Sequence, residues 1–303
     1  MDQVAEVVLG VPRGFCAGVV RAIDIVNLCL DKFGPPIYVK HQIVHNPYVV
    51  EELEKKGAIT VESVDEIPEG SIVVFSAHGS PPEDFENAKS LHLKIIDAVC
   101  PLVTRVHNEA KKYHNEGKRV LLVGHEGHQE VKGTMGQAPM TLISDGLDRL
   151  IPQWDRSTDV AIITQTTLSV QDTSAAITEI QNSFNNATIR NDICYATTNR
   201  QDAVLSMSGK VDIVLVIGAQ NSSNCNRLRE VAESLGIAAY LINGPAEIES
   251  KWIKPSYRIG ITSGASTPEI LVDEVIKRLN PSKITVLPGV DENISFRLPK
   301  ELR

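Results

Sequence analysis

Short runs of aliphatic and β-branched residues recur along the chain, and most stop at a polar, glycine-rich cluster before an amphipathic helical pattern begins. Six such runs are VAEVVLGVPRG (4–14), SIVVFSAHG (71–79), KRVLLVGHEGH (118–128), DVAIITQTT (159–167), VDIVLVIGAQNSS (211–223) and YRIGITSGAS (257–266). Continuously apolar strands alternating with helices predict an α/β protein with mostly parallel sheets covered on both faces. Ligands in such folds gather beyond the carboxyl ends of the strands. In this sequence His, Gln, Thr, Asn and Ser cluster at those places.

No long linker, low-complexity stretch or large charge run divides the chain. The cysteines offer a division instead. Cys16, Cys100 and Cys194 each follow or end an apolar strand and precede a helical pattern, with separations of 84 and 94 residues. That spacing predicts three similar units, each about the size of a small domain.

Composition narrows the class. Hydrophobic residues make up 42% and charged residues 22% of 303 residues, as in an ordinary globular protein and unlike a disordered or fibrous chain. Lys plus Arg number 30 against 38 Asp plus Glu, a net charge of -8. So acidic a chain does not grip nucleic acid or an anionic membrane through its overall field. A phosphate-bearing ligand then needs a local site. No stretch reaches the roughly 18 apolar residues of a spanning helix, and the opening MDQVAEVVLGVPRG lacks the pattern of a secretory signal. The expectation is a soluble, cytoplasmic protein. Its five scattered cysteines (16, 29, 100, 194 and 225) are then buried, catalytic or metal-binding rather than paired in disulfides.

Cys16 lies in RGFCAGV, where glycines bracket a turn into a helix. Cys100 lies in DAVCPLV, between the strand KIIDAV and a helix that Pro101 is suited to begin. Cys194 lies in NDICYATTNR, again at a strand end. A Cys at a helix amino terminus has a lowered pKa, and thiolate is the form that binds metal. Three such residues suit iron–sulfur or zinc if they converge. The plainer alternative is three small buried hydrophobes, since no CxxC pair is present. Cys29 reads as core. Cys225, in NSSNCNRL, lies nearer a polar loop.

His45 follows the strand-like IYVKHQIV, His78 ends VVFSAHG, and His128 falls in LLVGHEGHQEV, with His41 and His125 as accessory members of the same loops. The stretch His125-Glu126-Gly127-His128 is not a zinc-protease motif, because that chemistry needs HExxH on a helix. Glu130 follows in the same loop. It reads either as a proton-transferring carboxyl in a dry pocket or as a solvated loop residue. Gln165, Thr166 and Thr167 bring amide and hydroxyl groups to another strand end, where Thr167 or Ser169 is also placed to cap the next helix. Two segments resemble anion cradles at helix amino termini: Asn221, Ser222, Ser223 and Asn224, and then Gly264 to Glu269. In the second, Thr267 reads as the cap and Pro268 as the first helical residue. Capping alone explains either. Neither a Walker loop nor a GxGxxG fingerprint is present.

Taken together, RGFCAGV, HQIVHNPYVV, FSAHGSPP, DAVCPLVTRVH, GHEGHQEVKGTMGQ, TQTTLSVQDT, DICYATTNRQ, NSSNCNRL and GITSGASTPEILV closely resemble the 4-hydroxy-3-methylbut-2-enyl diphosphate reductases. These enzymes catalyse the last step of the methylerythritol phosphate route to isoprenoids. The match runs in order from about residue 10 to residue 275. The resemblance implies a trefoil of three α/β domains around a central iron–sulfur cluster: 18–100, 101–190, and 1–17 with 191–282, followed by a tail at 283–303. It implies that Cys16, Cys100 and Cys194 hold one 4Fe–4S cluster with an open iron. It places His45 and His78, with Ser222, Ser223, Asn224 and Ser266, in a diphosphate cradle, and His128 near the diphosphate and hydroxyl end of the substrate. Glu130 corresponds to the proton-donating carboxylate and Thr166 to its neighbouring hydroxyl, while Gln165 and Thr197 line the same pocket.

The implied reaction is reductive dehydroxylation of an allylic diphosphate to isopentenyl and dimethylallyl diphosphate, with single electrons from ferredoxin or flavodoxin. Two departures stand out. Val20 occupies a position that is commonly Asp, and Cys225 one that is more usually Ser, where an extra thiol offers a route to oxidation; both changes are expected to be tolerated and neutral. Competing readings are an iron–sulfur hydratase or dehydratase without net reduction, a cluster-bearing sensor that binds diphosphate without turnover and, more distantly, a zinc hydrolase.

Overall fold

The computed structural model describes residues 3–144 and 151–303. In chain order its strands are β1 (Glu6–Leu9), β2 (Ile37–Lys40), β3 (Ala58–Val61), β4 (Ile72–Phe75), β5 (Lys94–Asp97), β6 (Arg119–Val123), β7 (Met140–Ile143), β8 (Asp159–Thr164), β9 (Asn186–Ile189), β10 (Ile213–Ile217), β11 (Ala238–Ile242), β12 (Arg258–Ser263) and β13 (Ile284–Val286). The helices are α1 (Ala17–Phe33), α2 (Pro47–Glu54), α3 (Pro82–Ser90), α4 (Pro101–Asn115), α5 (Gln129–Met135), α6 (Val170–Ser183), α7 (Tyr195–Leu205), α8 (Ser223–Ser234) and α9 (Glu269–Leu279). Each of the six apolar runs contains a strand, as the pattern predicts. No helix among the described residues is long and apolar enough to cross a membrane.

The strands form three sheets, ordered β11-β10-β12-β1-β13, β3-β2-β4-β5 and β7-β6-β8-β9. Every pairing among them is parallel. The orders share one plan. In each sheet a first strand (β10, β2 or β6) lies beside a second (β12, β4 or β8), and the second lies beside a third (β1, β5 or β9) whose following loop carries Cys16, Cys100 or Cys194.

Cα packing divides the chain into two compact units. One comprises Met1–Ala17, His45–Val49 and Tyr195–Ile294 and contains the five-stranded sheet. The other comprises Gly18–Val44, Val50–Cys194 and Ser295–Arg303 and contains both four-stranded sheets.

Coverage on both faces explains the unbroken apolar runs. On the β6–β8 sheet, Leu121, Val123 and Ile162 pack with Ala176, Ile177 and Ile180 of α6. Their sequence neighbours Val120, Leu122, Ala161 and Ile163 pack on the other side with Val106, Ala110 and Tyr113 of α4. Alternate residues thus point into two cores, so neither set tolerates a polar residue.

Three local details depart from the sequence reading. The IYVKHQIV run ends as a strand at Lys40, because His41 turns into the left-handed region at φ 59°. Helix α9 begins at Glu269 with Pro268 as its N-cap, and the Thr267 hydroxyl instead donates to Ile217 O at 2.9 Å. The segment read as a tail contributes β13, paired with β1.

Candidate active site

The three cysteines occupy equivalent positions. Cys100 is the N-cap of α4, while Cys16 and Cys194 immediately precede the first residues of α1 and α7. Each sends its backbone N–H to a carbonyl just beyond the neighbouring second strand: Cys16 to Ala265 O at 3.2 Å, Cys100 to Ala77 O at 3.0 Å and Cys194 to Thr166 O at 3.0 Å. None of the three is in a disulfide, and all three are partly exposed. The Cys100 side chain makes no capping bond, so it is not consumed by the helix it precedes. Helix amino termini favour thiolate through the positive end of the dipole. Cys29 and Cys225 contrast with these. Both are fully buried, and burial pushes each thiol up to about 11.

The chemistry of that donor set fits an iron–sulfur cluster: three partly exposed sulfurs outside any disulfide, each at a helix amino terminus. Among the described residues no three His, Cys, Asp or Glu side chains are gathered around a point suited to one metal ion. Cluster thiolates stand around a polynuclear core and do not converge on such a point.

Glu130 is not a loop residue. It lies in the first turn of α5 and is 3% exposed, which removes the solvated alternative. Sequence periodicity misses α5 because it is short and interrupted by Gly133. Thr166 N–H donates to Glu130 Oε1 at 2.6 Å, and the Thr166 hydroxyl donates to Oε2 at 2.9 Å. Burial pushes the carboxyl up to about 7, aided by the charge of Asp192 and opposed by the two Thr166 bonds. A carboxyl so tuned carries a proton for a substantial fraction of the time at neutral pH.

His128 is the N-cap of α5, and its Nδ1 accepts from Glu130 N–H at 3.1 Å. With Nδ1 accepting, Nε2 carries the ring proton of the neutral imidazole and is a donor. The His78 ring stands edge-on to that of His128, with centroids 6.1 Å apart. Its Nδ1 lies 3.3 Å from the Ser76 hydroxyl. Gln165 has a positioning role: its Oε1 accepts from His125 N–H at 3.0 Å, and its Nε2 donates to Thr167 Oγ1 at 2.9 Å. Those bonds fasten the loop after β6 to the end of β8. Ser169 caps α6 through a bond from Asp172 N–H, whereas Thr167 does not.

The remaining residues gather within the other unit. Ser222 is the N-cap of α8, with Ser223 and Asn224 in the first turn. Asn224 accepts from Ala265 N–H at 3.1 Å and donates to Thr197 Oγ1 at 3.5 Å. The Ser266 hydroxyl donates to His45 O at 2.9 Å. These bonds join the loops after β10 and β12 into a hydroxyl- and amide-rich surface at a helix amino terminus, a setting suited to phosphate.

Cys225 lies beneath that surface. A Cβ built on Gly264 would fall 2.2 Å from Cys225 Sγ, and one on Gly218 2.3 Å. The thiol is thus enclosed by backbone and kept protonated, which closes the route to oxidation. Replacing Gly264 with Ala is expected to cost about 1–3 kcal/mol through overpacking. Chemical denaturation should show most of that stability restored in Gly264→Ala/Cys225→Ala, where the colliding sulfur is gone. Val20, at 43% exposure, faces solvent from α1.

Two supporting groups escaped the sequence reading. Asp192, two residues before Cys194, is 1% exposed. It accepts from Arg105 at 3.2 Å, and its N–H donates to Thr164 Oγ1 at 2.8 Å. Arg200 is buried completely and binds both Glu292 and Gly14 O. Both lie in the motif DICYATTNRQ, but a charged residue in an ordinary helical or loop context looks solvated until its partners are known.

Three repeats of one parallel plan, each followed by a cysteine at a helix amino terminus, with a buried carboxyl of raised pKa in one unit and a hydroxyl- and amide-rich helix terminus in the other, have the groups of an α/β redox enzyme class. The LytB protein family model matches residues 7–280, and the chain belongs to that family. It is 52% identical to 4-hydroxy-3-methylbut-2-enyl diphosphate reductase 2 of Bradyrhizobium diazoefficiens, over 98% of this chain and 99% of that protein. Identity to the corresponding reductase of Acinetobacter baumannii is 49%, over 98% of each. The structure of the E-1-hydroxy-2-methyl-but-2-enyl-4-diphosphate reductase from Plasmodium falciparum matches with a TM-score of 0.92 at 36% identity, covering 99% of this chain and 97% of that one. A structure of (E)-4-hydroxy-3-methyl-but-2-enyl diphosphate reductase, the terminal enzyme of the non-mevalonate pathway, matches with a TM-score of 0.65 at 32% identity, covering 91% and 99%.

Proposed function

We propose that this chain reduces (E)-4-hydroxy-3-methylbut-2-enyl diphosphate to isopentenyl and dimethylallyl diphosphate, the last step of the methylerythritol phosphate route. In this reading the domains are 18–100, 101–190, and 1–17 with 191–282, and the electrons come from ferredoxin or flavodoxin in the cytoplasm. The observation that carries the reading is the buried Glu130–Thr166 pair, joined through the backbone of Thr166 to Cys194.

Cys16, Cys100 and Cys194 would hold a 4Fe–4S cluster, which when bound would supply single electrons and Lewis acidity. The overall change consumes two electrons and two protons: the carbon–oxygen bond breaks, the oxygen leaves as water, and an allylic carbon gains hydrogen. Glu130 holds the first proton. As its carboxyl passes a proton to Thr166 Oγ1, that hydroxyl passes its own to the departing oxygen, so Thr166 ends neutral and Glu130 ionised. The His128 Nε2–H and the His78 imidazole offer donors to anionic oxygens. His45, Ser222, Ser223, Asn224 and Ser266 hold the diphosphate, with Thr197 bonded to Asn224, while Gln165 fixes the loop that carries His125 and His128. Neutral donors suffice there because a helix amino terminus supplies positive potential.

Anaerobic protein given the allylic diphosphate and a reduced low-potential carrier is expected to release both isomeric diphosphates. Turnover without reductant would replace this reading with a hydratase or dehydratase. Binding without turnover under reducing conditions would replace it with a sensor.

A further inference from the structure

The C-terminal segment touches two of the cysteine-bearing loops through arginines. In the first unit, Arg200 of α7 is completely buried. Its guanidinium donates to Gly14 O at 2.7 and 3.3 Å, to Ala196 O at 2.9 Å, and to both oxygens of Glu292 at 3.0 and 3.2 Å. Asn199 also donates to Glu292 at 3.0 Å. Gly14 lies two residues before Cys16 and sits at φ +73°, so its carbonyl direction is set by a backbone conformation that other residues rarely adopt. Arg200 thus fixes the turn that delivers Cys16, and Glu292 compensates the buried charge.

In the second unit, Arg21 of α1 makes a parallel set of bonds. It donates to Val99 O at 2.9 Å and Asp97 O at 3.5 Å, and its Nε donates to Arg297 O at 2.8 Å. Val99 immediately precedes Cys100. Lys32, three turns further along α1, donates to Glu301 O at 2.9 Å and fastens the same C-terminal stretch. One segment therefore supplies an anchor to each of two guanidinium clamps.

We propose that the segment from Glu292 to Arg297 is a strap that positions the Cys16 and Cys100 thiolates, acting through Arg200 on Gly14 and through Arg21 on Val99. The proposal rests on the assignment of these two cysteines as cluster ligands. Groups that orient a metal ligand from behind govern retention of the metal and its electronic environment. Arg200 and Arg21 are positioning residues: their hydrogen bonds reach the cysteine-bearing loops through backbone carbonyls.

The test uses the full chain carrying Arg21→Gln or Glu292→Gln, with Arg21→Lys as the conservative control. In apo protein, alkylation of each cysteine is followed by mass spectrometry. Arg21→Gln should change the rate at Cys100 several-fold and leave Cys194 unchanged, whereas Glu292→Gln should change the rate at Cys16. Reconstituted Arg21→Gln should lose iron to a chelator about tenfold faster, the low end for loss of a group behind a metal ligand. Its reduced electron-spin spectrum should shift, and Arg21→Lys should recover much of both effects. Unchanged alkylation and iron loss in Arg21→Gln would overturn the strap. So would equal acceleration at all cysteines, which marks general destabilisation. If Glu292→Gln does not fold, the Arg21 series decides alone. Failure of the wild type to take up a cluster would sink the proposed function, while the apo alkylation pattern would still decide whether the loops are strapped.

Discussion

Glu130→Gln is expected to retain wild-type iron, sulfide and visible spectrum while turnover falls by about 10²–10⁴-fold, the range for loss of a positioned general acid. Gln is nearly isosteric, so Thr166 N–H still finds an oxygen, and the new amide is able to donate to Thr166 Oγ1. The fold around the pair is kept and only the transferable proton is removed. The loss should fall on kcat rather than on substrate affinity, because the Glu130 oxygens bind Thr166 and the proposed diphosphate residues do not include Glu130. Near-wild-type turnover would remove Glu130 from the mechanism.

The pH dependence follows from the same burial. With a folded pKa of about 7 against an ordinary 4.5, the acid form is lost as pH rises through neutrality, so kcat limited by this proton declines there. Stability follows the same sign. The folded state keeps a proton that the unfolded chain has released, so this contribution is full below about pH 4.5 and disappears as pH passes 7. The difference is about 3 kcal/mol, from 1.36 kcal/mol per pKa unit. Denaturant midpoints measured from pH 5 to pH 8 should show this decline in the wild type and a flatter profile in Glu130→Gln.

Much of this architecture is readable from the strands because both faces of each sheet are covered. An unbroken apolar run such as IVLVI at 213–217, buried throughout, has no other economical explanation in a chain of this polarity. The end of such a run then marks where ligands gather. The edge strands were harder to see. β9, NATI, and β13, ITV, are short and partly exposed, so nothing in their pattern separates them from loops.

The site divides along similar lines. Cysteines, histidines and Ser-Asn clusters carry chemical identity in their residue type, and the family motifs place them in order. Glu130 is placed by the motif GHEGHQEVKGTMGQ, but its residue type alone leaves the solvated alternative open, because its importance lies in burial beside Thr166, a contact between residues far apart in sequence. Arg200 and Asp192 are further cases. Their roles depend on partners 92 residues away at Glu292 and 87 away at Arg105, and a one-dimensional pattern holds no trace of such pairs.

The largest expected effect is loss of the cluster on replacing one of its ligands. Anaerobically reconstituted wild type should hold about four iron and four sulfide per chain, and Cys100→Ser should hold a small fraction of that. Cys16→Ser and Cys194→Ser should behave alike, because the three positions are structurally equivalent: each precedes a helix and donates its N–H to the neighbouring strand-end carbonyl. A serine hydroxyl nearly keeps the size of the side chain but is a far weaker ligand for iron–sulfur clusters, which are held by thiolates. Cys29→Ser and Cys225→Ser test the same argument from the opposite side. Both thiols are buried and pushed up to about 11, so both stay neutral and their replacement should leave iron and sulfide per folded chain unchanged. Equal iron in the wild type and all three helix-terminal variants would show that the metal is held elsewhere. A wild type that takes up only zinc, or no metal after careful reconstitution, would return Cys16, Cys100 and Cys194 to packing or zinc ligation and leave the hydroxyl-rich phosphate surface as the part of the site still to be tested.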